Sequence, residues 1–367
     1  MMQPLIDPVS LDLIKAELTP DKKLCDTNKG HNILYVFDSD NAPNLMLEVG
    51  RLRELTFRDA TAGTGAAYDW DEFDHGHKYR QIIVWDQDAD AIIGGYRYIL
   101  GPDMVLKENG QPDIVSSHMF TFSEEFIKDY LPHVMELSRA FVVPEYQSSK
   151  AGAKALFALD NLWDGLAAVI MQHHDIMYFM GKMSMYQTYD PLARNLIMSY
   201  LWKHFRDKDG LAVAMDPIEP ELDERLVGLI LKDDDLRDDY KNLNAAVRSL
   251  GMNIPPMINA YMTLSPTMKV FGTGINREFG DVLDTGIMIC FNEMYDEKRE
   301  RHMKSFIKNS VEKMRMRFPG LTENLEEKVA QRWAMRRARQ FTKFMQRGQK
   351  PRKRGGRKGR KAQDTQE

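Results

Sequence analysis

Three charged residues in this sequence interrupt runs of apolar ones. Arg97 lies within Ile92-Ile93-Gly94-Gly95-Tyr96-Arg97-Tyr98-Ile99-Leu100, and Glu136 and Arg139 lie within the apolar run 134–143. An unpaired charge is costly to bury, so residues placed this way are expected either to pair or to do chemistry. A carboxylate there could move a proton, and a guanidinium could pair with an anion. Residues three apart on a strand face opposite sides, so Glu136 and Arg139 share a side only if a bulge intervenes. A bulge would also leave backbone N–H groups beside a reacting carbonyl. A purely structural ion-pair network of Arg97, Glu136 and Arg139 accounts for these residues, taken alone, equally well.

Other chemistries find little support. There is no Gly-x-Ser-x-Gly elbow, no Gly-x-x-x-x-Gly-Lys-Ser/Thr phosphate loop and no His-Glu-x-x-His pair. His173 and His174 are neighbours on an expected helix and point about 100° apart, which suits a metal poorly. Cys25 and Cys290 are too few and too far apart for a disulfide framework or a cysteine zinc site, which favours a reducing compartment. No metal is expected.

The elements that must position these residues alternate between short apolar runs and helical periods. Strands are predicted over 33–37, 81–85, 92–100, 133–143 and 177–185. Helices are predicted over 43–57, 122–131 (with Ser123 as N-cap), 151–173 and 191–205. An acidic, aromatic loop falls at 68–77 and a hairpin turn at 86–90. Beyond residue 205 the chain reads as charged and helical to about 250, with a strand at 287–291 and two helices over 297–347 split by Pro319-Gly320. This is a mixed α/β sheet layered with helices. The expected organisation is an α/β domain over 1–205, an extension packed on it over 206–347 and a disordered tail over 348–367.

At 43% hydrophobic and 28% charged residues, the composition is that of an ordinary soluble protein. No run reaches the roughly 18 apolar residues of a membrane span, and no secretory signal opens the chain. The net charge of −4 hides an asymmetry, because no acidic residue occurs between Gln331 and Lys361. A basic tail on an acidic body suits a polyanionic partner. An anionic membrane surface bound through Arg352–Lys361 is the first expectation and nucleic acid the lesser one. The expected location is cytoplasmic and peripheral to the inner membrane.

Four pieces then occur in order: Arg53-Glu54-Leu55-Thr56-Phe57, Trp70-Asp71-Glu72-Phe73-Asp74, Gly94-Gly95-Tyr96-Arg97 and Glu136-Leu137-Ser138-Arg139-Ala140-Phe141. Together they resemble the acyl-carrier-dependent branch of the GNAT superfamily. That branch contains acyl-homoserine lactone synthases and the N-acyltransferases that begin ornithine-lipid and glycine-lipid synthesis. The segments 162–166, 178–185 and 254–261 are similar to the lipid-forming members, so the likeness covers roughly residues 45–305.

The resemblance implies a GNAT-like mixed, mostly antiparallel sheet flanked by helices, with a mixed α/β C-terminal extension. It implies an N-acyltransferase that moves a long-chain acyl group, 3-hydroxylated or not, from acyl carrier protein (or CoA) to the amine of an amino acid. Such a reaction would be the first step of aminolipid synthesis, by direct attack and with no bound cofactor. It points to Glu136 as general base, directly or through water. Arg53, Arg97 and Arg139 would form a network with Asp71 and Asp74, one arginine holding the acceptor's carboxylate. Phe57, Trp70, Ser138 and Phe141 would contact substrate. Gln147, Lys150 and Gly152 would hold the donor's phosphopantetheine arm before a helix N-terminus. Lys150 stands where CoA-using members have their first glycine, which favours a carrier protein as donor. The competing readings are a signal synthase using the same site and a non-catalytic RNA-binding protein with a basic tail.

Overall fold

The computed structural model describes residues 2–75, 78–147, 153–232, 235–317 and 325–348. In chain order the strands are β1 (Lys23–Asp26), β2 (Ile33–Phe37), β3 (Arg80–Asp86), β4 (Ala91–Leu100), β5 (Phe120–Phe122), β6 (Val134–Val142), β7 (Tyr178–Met185), β8 (Ala212–Ala214), β9 (Lys269–Asn276) and β10 (Val282–Cys290). The helices are α1 (Leu11–Glu17), α2 (Pro43–Asp59), α3 (Ala153–Gln172), α4 (Pro191–Phe205), α5 (Glu224–Ile230), α6 (Leu236–Ser249), α7 (Pro256–Met262), α8 (Asp296–Arg317) and α9 (Leu325–Gly348).

Eight strands form one sheet in the order β1-β2-β3-β4-β6-β7-β10-β9, and β5 pairs with β8 in a small second sheet. Neighbours in the large sheet run antiparallel except β6 and β7, which are parallel. This is the mixed, mostly antiparallel sheet flanked by helices that the sequence led us to expect. Successive side chains leave a strand on opposite faces, so each strand feeds two cores. On one face α2 lays Leu45, Val49 and Phe57 over Tyr35, Phe37, Ile83 and Trp85. On the other, α3, α4 and α7 cover Leu34, Ile82, Tyr96, Leu137 and Phe179. A third cluster, around Phe120, Phe126 and Met180, fills the α2 side further along the sheet.

Local chemistry sets the helix starts. Pro43 opens α2, and Glu17, far off in sequence, accepts from the Asn44 and Leu45 N–H groups at 3.1 and 2.7 Å. Asp190 caps α4 by accepting from the Ala193 N–H at 2.9 Å.

Besides register shifts in the β1–β2, β3–β4 and β9–β10 pairs, the sheet departs from regular pairing at two places on β6. The first lies between β4 and β6. Arg97 stands opposite Ser138 and Gly95 opposite Phe141, so three steps on β6 span two on β4. The extra residue falls at Arg139–Ala140, and Arg139 takes a left-handed φ of 50°. The second lies between β6 and β7. Their pairing runs from Val134 with Tyr178 to Leu137 with Gly181 and stops there, although both strands continue.

Several sequence expectations need correction. The helix expected over 122–131 starts later than drawn: Phe122 ends β5, Ser123 accepts from the Phe126 N–H at 3.1 Å as the expected cap, and a short helical stretch follows from Glu124, widened over Phe126–Tyr130. Phe120 and Phe122 both point inward there, which is a strand's period and not a helix's. The strand expected at 287–291 is the tail of β10, which begins at Val282 and is buried throughout. Its partner β9 went unpredicted because Thr273, buried and bonded to Thr285 at 2.7 Å, breaks the apolar pattern. The boundary drawn at 205/206 divides the chain but not the sheet, since β9 and β10 extend it beyond β7. Among the described residues no helix is long and apolar enough to cross a membrane. The tail over 349–367 lies outside the described residues, as do Lys150 and Gly152.

Candidate active site

On the α2 side of the sheet, adjacent strands present polar side chains between the apolar clusters. Gln81 comes from β3, Arg97 from β4, Glu136 and Ser138 from β6, Lys182 and Ser184 from β7, and Asp284 from β10. The loop after α2 folds over this row and adds three carboxylates.

Arg53, on α2, is fully buried and reaches Asp74 at 3.1 Å and Gln81. Arg97, also fully buried, grips Asp71 with both terminal nitrogens, the Nη2–Oδ2 contact being 2.9 Å, and meets Asp74 at 2.9 Å. Its Nε donates to the Ser138 hydroxyl at 3.0 Å. Arg139 donates from Nε to Asp69 at 2.7 Å and from Nη2 to Asp71 at 3.0 Å. Asp71 also caps the turn that follows it, accepting from the Phe73 N–H at 3.0 Å, while Asp74 accepts from the Asp71 N–H at 3.3 Å. Three arginines thus face three aspartates, which satisfies the condition for burying charge. Burial alone would raise the Asp71 carboxyl, but Arg97, with Arg139 and Arg53, holds it far below the usual carboxylate range. Burial lowers the Arg97 guanidinium, yet Asp74 and Asp71 outweigh that and keep it firmly protonated.

The bulge anticipated from the Glu136/Arg139 spacing is present, with Arg139 itself in it. A left-handed non-glycine residue is held only where its surroundings over-determine it. Here two carboxylates and the Phe279 ring, 4.9 Å from the guanidinium carbon, do so. Arg139 and Ala140 have no opposite number in the β4 register.

Where β6 and β7 separate, a cavity of about 420 Å³ opens, within the roughly 300–1,000 Å³ of small-molecule sites. All three hydrophobic clusters contribute to its wall. Phe57, Phe141 and Phe279 come from the α2 side, and Leu137, Leu162, Phe179 and Tyr261 from the far side. The cavity therefore passes through the sheet, and its polar wall includes Ser138, Arg139, Lys182, Ser184, Asn276 and Asp284.

Of the residues singled out from sequence, Phe57, Ser138, Arg139, Phe141 and Gln147 line this cavity. Gln147 also donates to the Val142 carbonyl at 2.5 Å. Arg53, Arg97, Asp71 and Asp74 stand behind it as the ion network. Trp70 does not line it; its ring packs on His75 and Tyr68, with centroids 4.3 and 5.7 Å away. Glu136 does not line it either. That carboxylate is fully buried, accepting from the Ser116 N–H at 2.7 Å and from the Tyr79 hydroxyl, and Val115 forms the cavity wall beside it.

Sequence reasoning missed Lys182, Ser184 and Asp284. Lys182 meets Asp284 at 3.2 Å, Ser184 donates to Asp284 at 2.5 Å and Asn276 donates to it at 2.8 Å. The signal was available, since Lys182 and Asp284 are charges inside apolar strands, as Glu136 is. Cys25 and Cys290 lie off the cavity, and burial pushes both thiols up to about 12, which suits neither to nucleophilic attack. Among the described residues no group of three or more His, Cys, Asp or Glu side chains could hold a metal.

Residues 52–156 match the family model of the acetyltransferase (GNAT) domain. A Phocaeicola vulgatus protein named glycine N(alpha)-acyltransferase is 50% identical over 316 residues, covering 86% of this chain and 97% of the relative. Its Bacteroides thetaiotaomicron counterpart, of the same name, is 51% identical over 317 residues, 86% of this chain and 94% of the relative. The chain belongs to the GNAT-superfamily N-acyltransferases. Such an acyltransferase draws its acyl group from a thioester. The matched domain holds Arg53, Asp71, Asp74, Arg97 and the bulged β6, and ends in the first turn of α3, so Lys182 and Asp284 lie beyond it. No solved structure matches the acyltransferase.

Proposed function

We propose that this acyltransferase transfers a long-chain acyl group from acyl carrier protein to the α-amine of glycine, as the first step in making an aminolipid. The observation that carries the reading is the cavity through the sheet, apolar on its far side and charged on the α2 side. An acyl chain fits the first part and a small zwitterion the second. The names of the two relatives support glycine as acceptor.

The chemistry follows from that arrangement. The amine nitrogen bonds to the thioester carbon, the carbon–sulfur bond breaks and the thiol departs with a proton. The bulge at Arg139–Ala140 brings backbone N–H groups outside the β4 pairing to the cavity wall, where a developing oxyanion needs donors. The neutral arginine–aspartate network holds Arg139 and Ser138 in place for this. With both its oxygens engaged and its side chain outside the cavity lining, we assign Glu136 a positioning part in place of the base role expected from sequence.

A carrier protein as donor is supported by the solvent face of α9, where Lys328, Arg332, Arg336, Arg339 and Lys343 are exposed and would complement an acidic partner. The basic stretch Arg352–Lys361 supports association with an anionic membrane, at about 1 kcal/mol for each Lys or Arg near the surface. The deciding experiment incubates the full chain with long-chain acyl carrier protein or acyl-CoA and a panel of amino acids, reading thiol release and N-acyl product by mass spectrometry. N-acylglycine from the carrier thioester is the expected product. No N-acyl product from either donor, or preference for another amino acid, overturns the reading.

A further inference from the structure

We infer that Lys182 and Asp284 form the acceptor site, Lys182 holding the carboxylate of the amino acid and Asp284 its ammonium group. This rests on the reading of the protein as an amino-acid N-acyltransferase and names the residues that recognise the amino acid.

Lys182 is the first residue of β7 past its last pairing with β6, and Ser138 is the first past it on β6. The two face each other across the mouth of the opening. Asp284 sits on the neighbouring strand opposite Ser184, two residues along β7 on the same face. Lys182 and Asp284 both line the cavity, and their side chains are only 14% and 3% exposed.

The hydrogen-bond capacity of the pair is incompletely used. A lysine ammonium has three donors. Lys182 directs one to Asp284 at 3.2 Å and lies 3.7 Å from the Met119 thioether, a poor acceptor. A carboxylate has about four acceptor positions. Asp284 takes Ser184, Asn276 and Lys182. One acceptor position on Asp284 and donor capacity on Lys182 remain for a ligand.

Charge selects the kind of ligand. The arginine–aspartate network balances itself and the Lys182–Asp284 pair is neutral, so a ligand of either net charge would leave a buried charge uncompensated. A zwitterion does not. Its amine and carboxyl carbon are held one atom apart, placing the two charges about 3 Å from each other by standard bond lengths. That matches the 3.2 Å between Lys182 Nζ and Asp284 Oδ2. An α-amino acid can dock antiparallel to the pair, and a longer ω-amino acid cannot without parting it. Once it is docked, the ammonium passes one proton to Asp284. The freed amine forms the N–C bond as the C–S bond breaks, and the second proton leaves with the thiol.

The experiment compares acceptors on the full-length enzyme with long-chain acyl carrier protein as donor. Glycine should exceed glycinamide and β-alanine in kcat/KM by at least about tenfold, the scale of one lost charged hydrogen bond. Lys182→Met should raise the KM for glycine about tenfold or more, leave the KM for the thioester within about twofold and abolish the preference over glycinamide. Lys182→Arg should largely restore that preference. Wild-type enzyme using glycinamide as well as glycine overturns the inference without any variant, and so does a Lys182→Met enzyme that keeps the discrimination. Failure to acylate any amine would instead overturn the proposed function.

Discussion

Replacing Arg97 by methionine removes one of three cations from a buried cluster that is otherwise balanced. Methionine keeps the unbranched apolar stem and lacks the guanidinium, so the loss is chiefly of charge and hydrogen bonds to Asp71, Asp74 and Ser138. Removing one partner of a buried ion pair costs about 3–5 kcal/mol, because the remaining charge is stranded. With an unfolding entropy of about 2.1 cal/mol/K per residue, the 367-residue chain has a slope of roughly 0.8 kcal/mol per degree. The melting temperature should therefore fall by about 4–6 °C in thermal unfolding followed by circular dichroism near pH 7. The double variant Arg97→Met/Asp71→Asn removes one charge of each sign and should be more stable than the sum of the single losses by about 0.5–3 kcal/mol. Acyl transfer should fall in both, since the Ser138 hydroxyl loses its donor. A melting point within about 1 °C of wild type, or strictly additive single losses, would refute the idea of a coupled neutral cluster.

Other outcomes follow from the same geometry. Asp71 titrates lower in the folded chain than in the unfolded one, so its contribution is fully present above about pH 4 and is lost as pH falls through the folded value; wild type should lose stability in acid, and Arg97→Met should show a weaker acid dependence in urea titrations from pH 6 to pH 3. Gly181→Ala places a Cβ 2.7 Å from the Leu137 carbonyl oxygen, at the point where β6 and β7 part, and should cost about 1–3 kcal/mol while lowering kcat. Glu136→Gln can keep both contacts, its amide oxygen accepting from Ser116 and its NH₂ donating to Tyr79. It should fold normally and lose less than about a hundredfold in kcat, whereas the larger losses typical of a removed general base would restore that role to Glu136.

The arginine–aspartate half of the site was legible in the sequence by two routes: residue types marked Arg97 and Arg139, and the resemblance of the ordered motifs brought in Arg53, Asp71 and Asp74. Arginines and a glutamate inside apolar strands have few reasons to be there, and the spacing of Glu136 and Arg139 made a bulge the condition for their sharing a side, a bulge that β6 contains. The other half was not. Ser184 and Asp284 are 100 residues apart, and no local pattern reveals that β7 and β10 are neighbours. The same test of misplaced charge, applied to Lys182 and Asp284, would have marked both residues without saying that they meet. Trp70 illustrates the opposite error. Its place beside Asp71 suggested a cavity wall, but a large ring in an acidic loop can bury itself against that loop's own Tyr68 and His75.

The passage between β6 and β7 also constrains the shape of its guest. Helices that line a pocket can slide or tilt to admit a wider molecule. These two strands cannot easily do so, because β6 is laced to β4 on its outer side and β7 to β10 along its whole length. The opening behaves as a slot with fixed rails. A straight, unbranched chain can pass edge-on, whereas a methyl branch or ring at that depth would press on main-chain atoms that cannot yield. A tail that entered along the rails must also withdraw along them, so longer products should leave more slowly, and turnover should reach a ceiling set by chain length before the chemistry does.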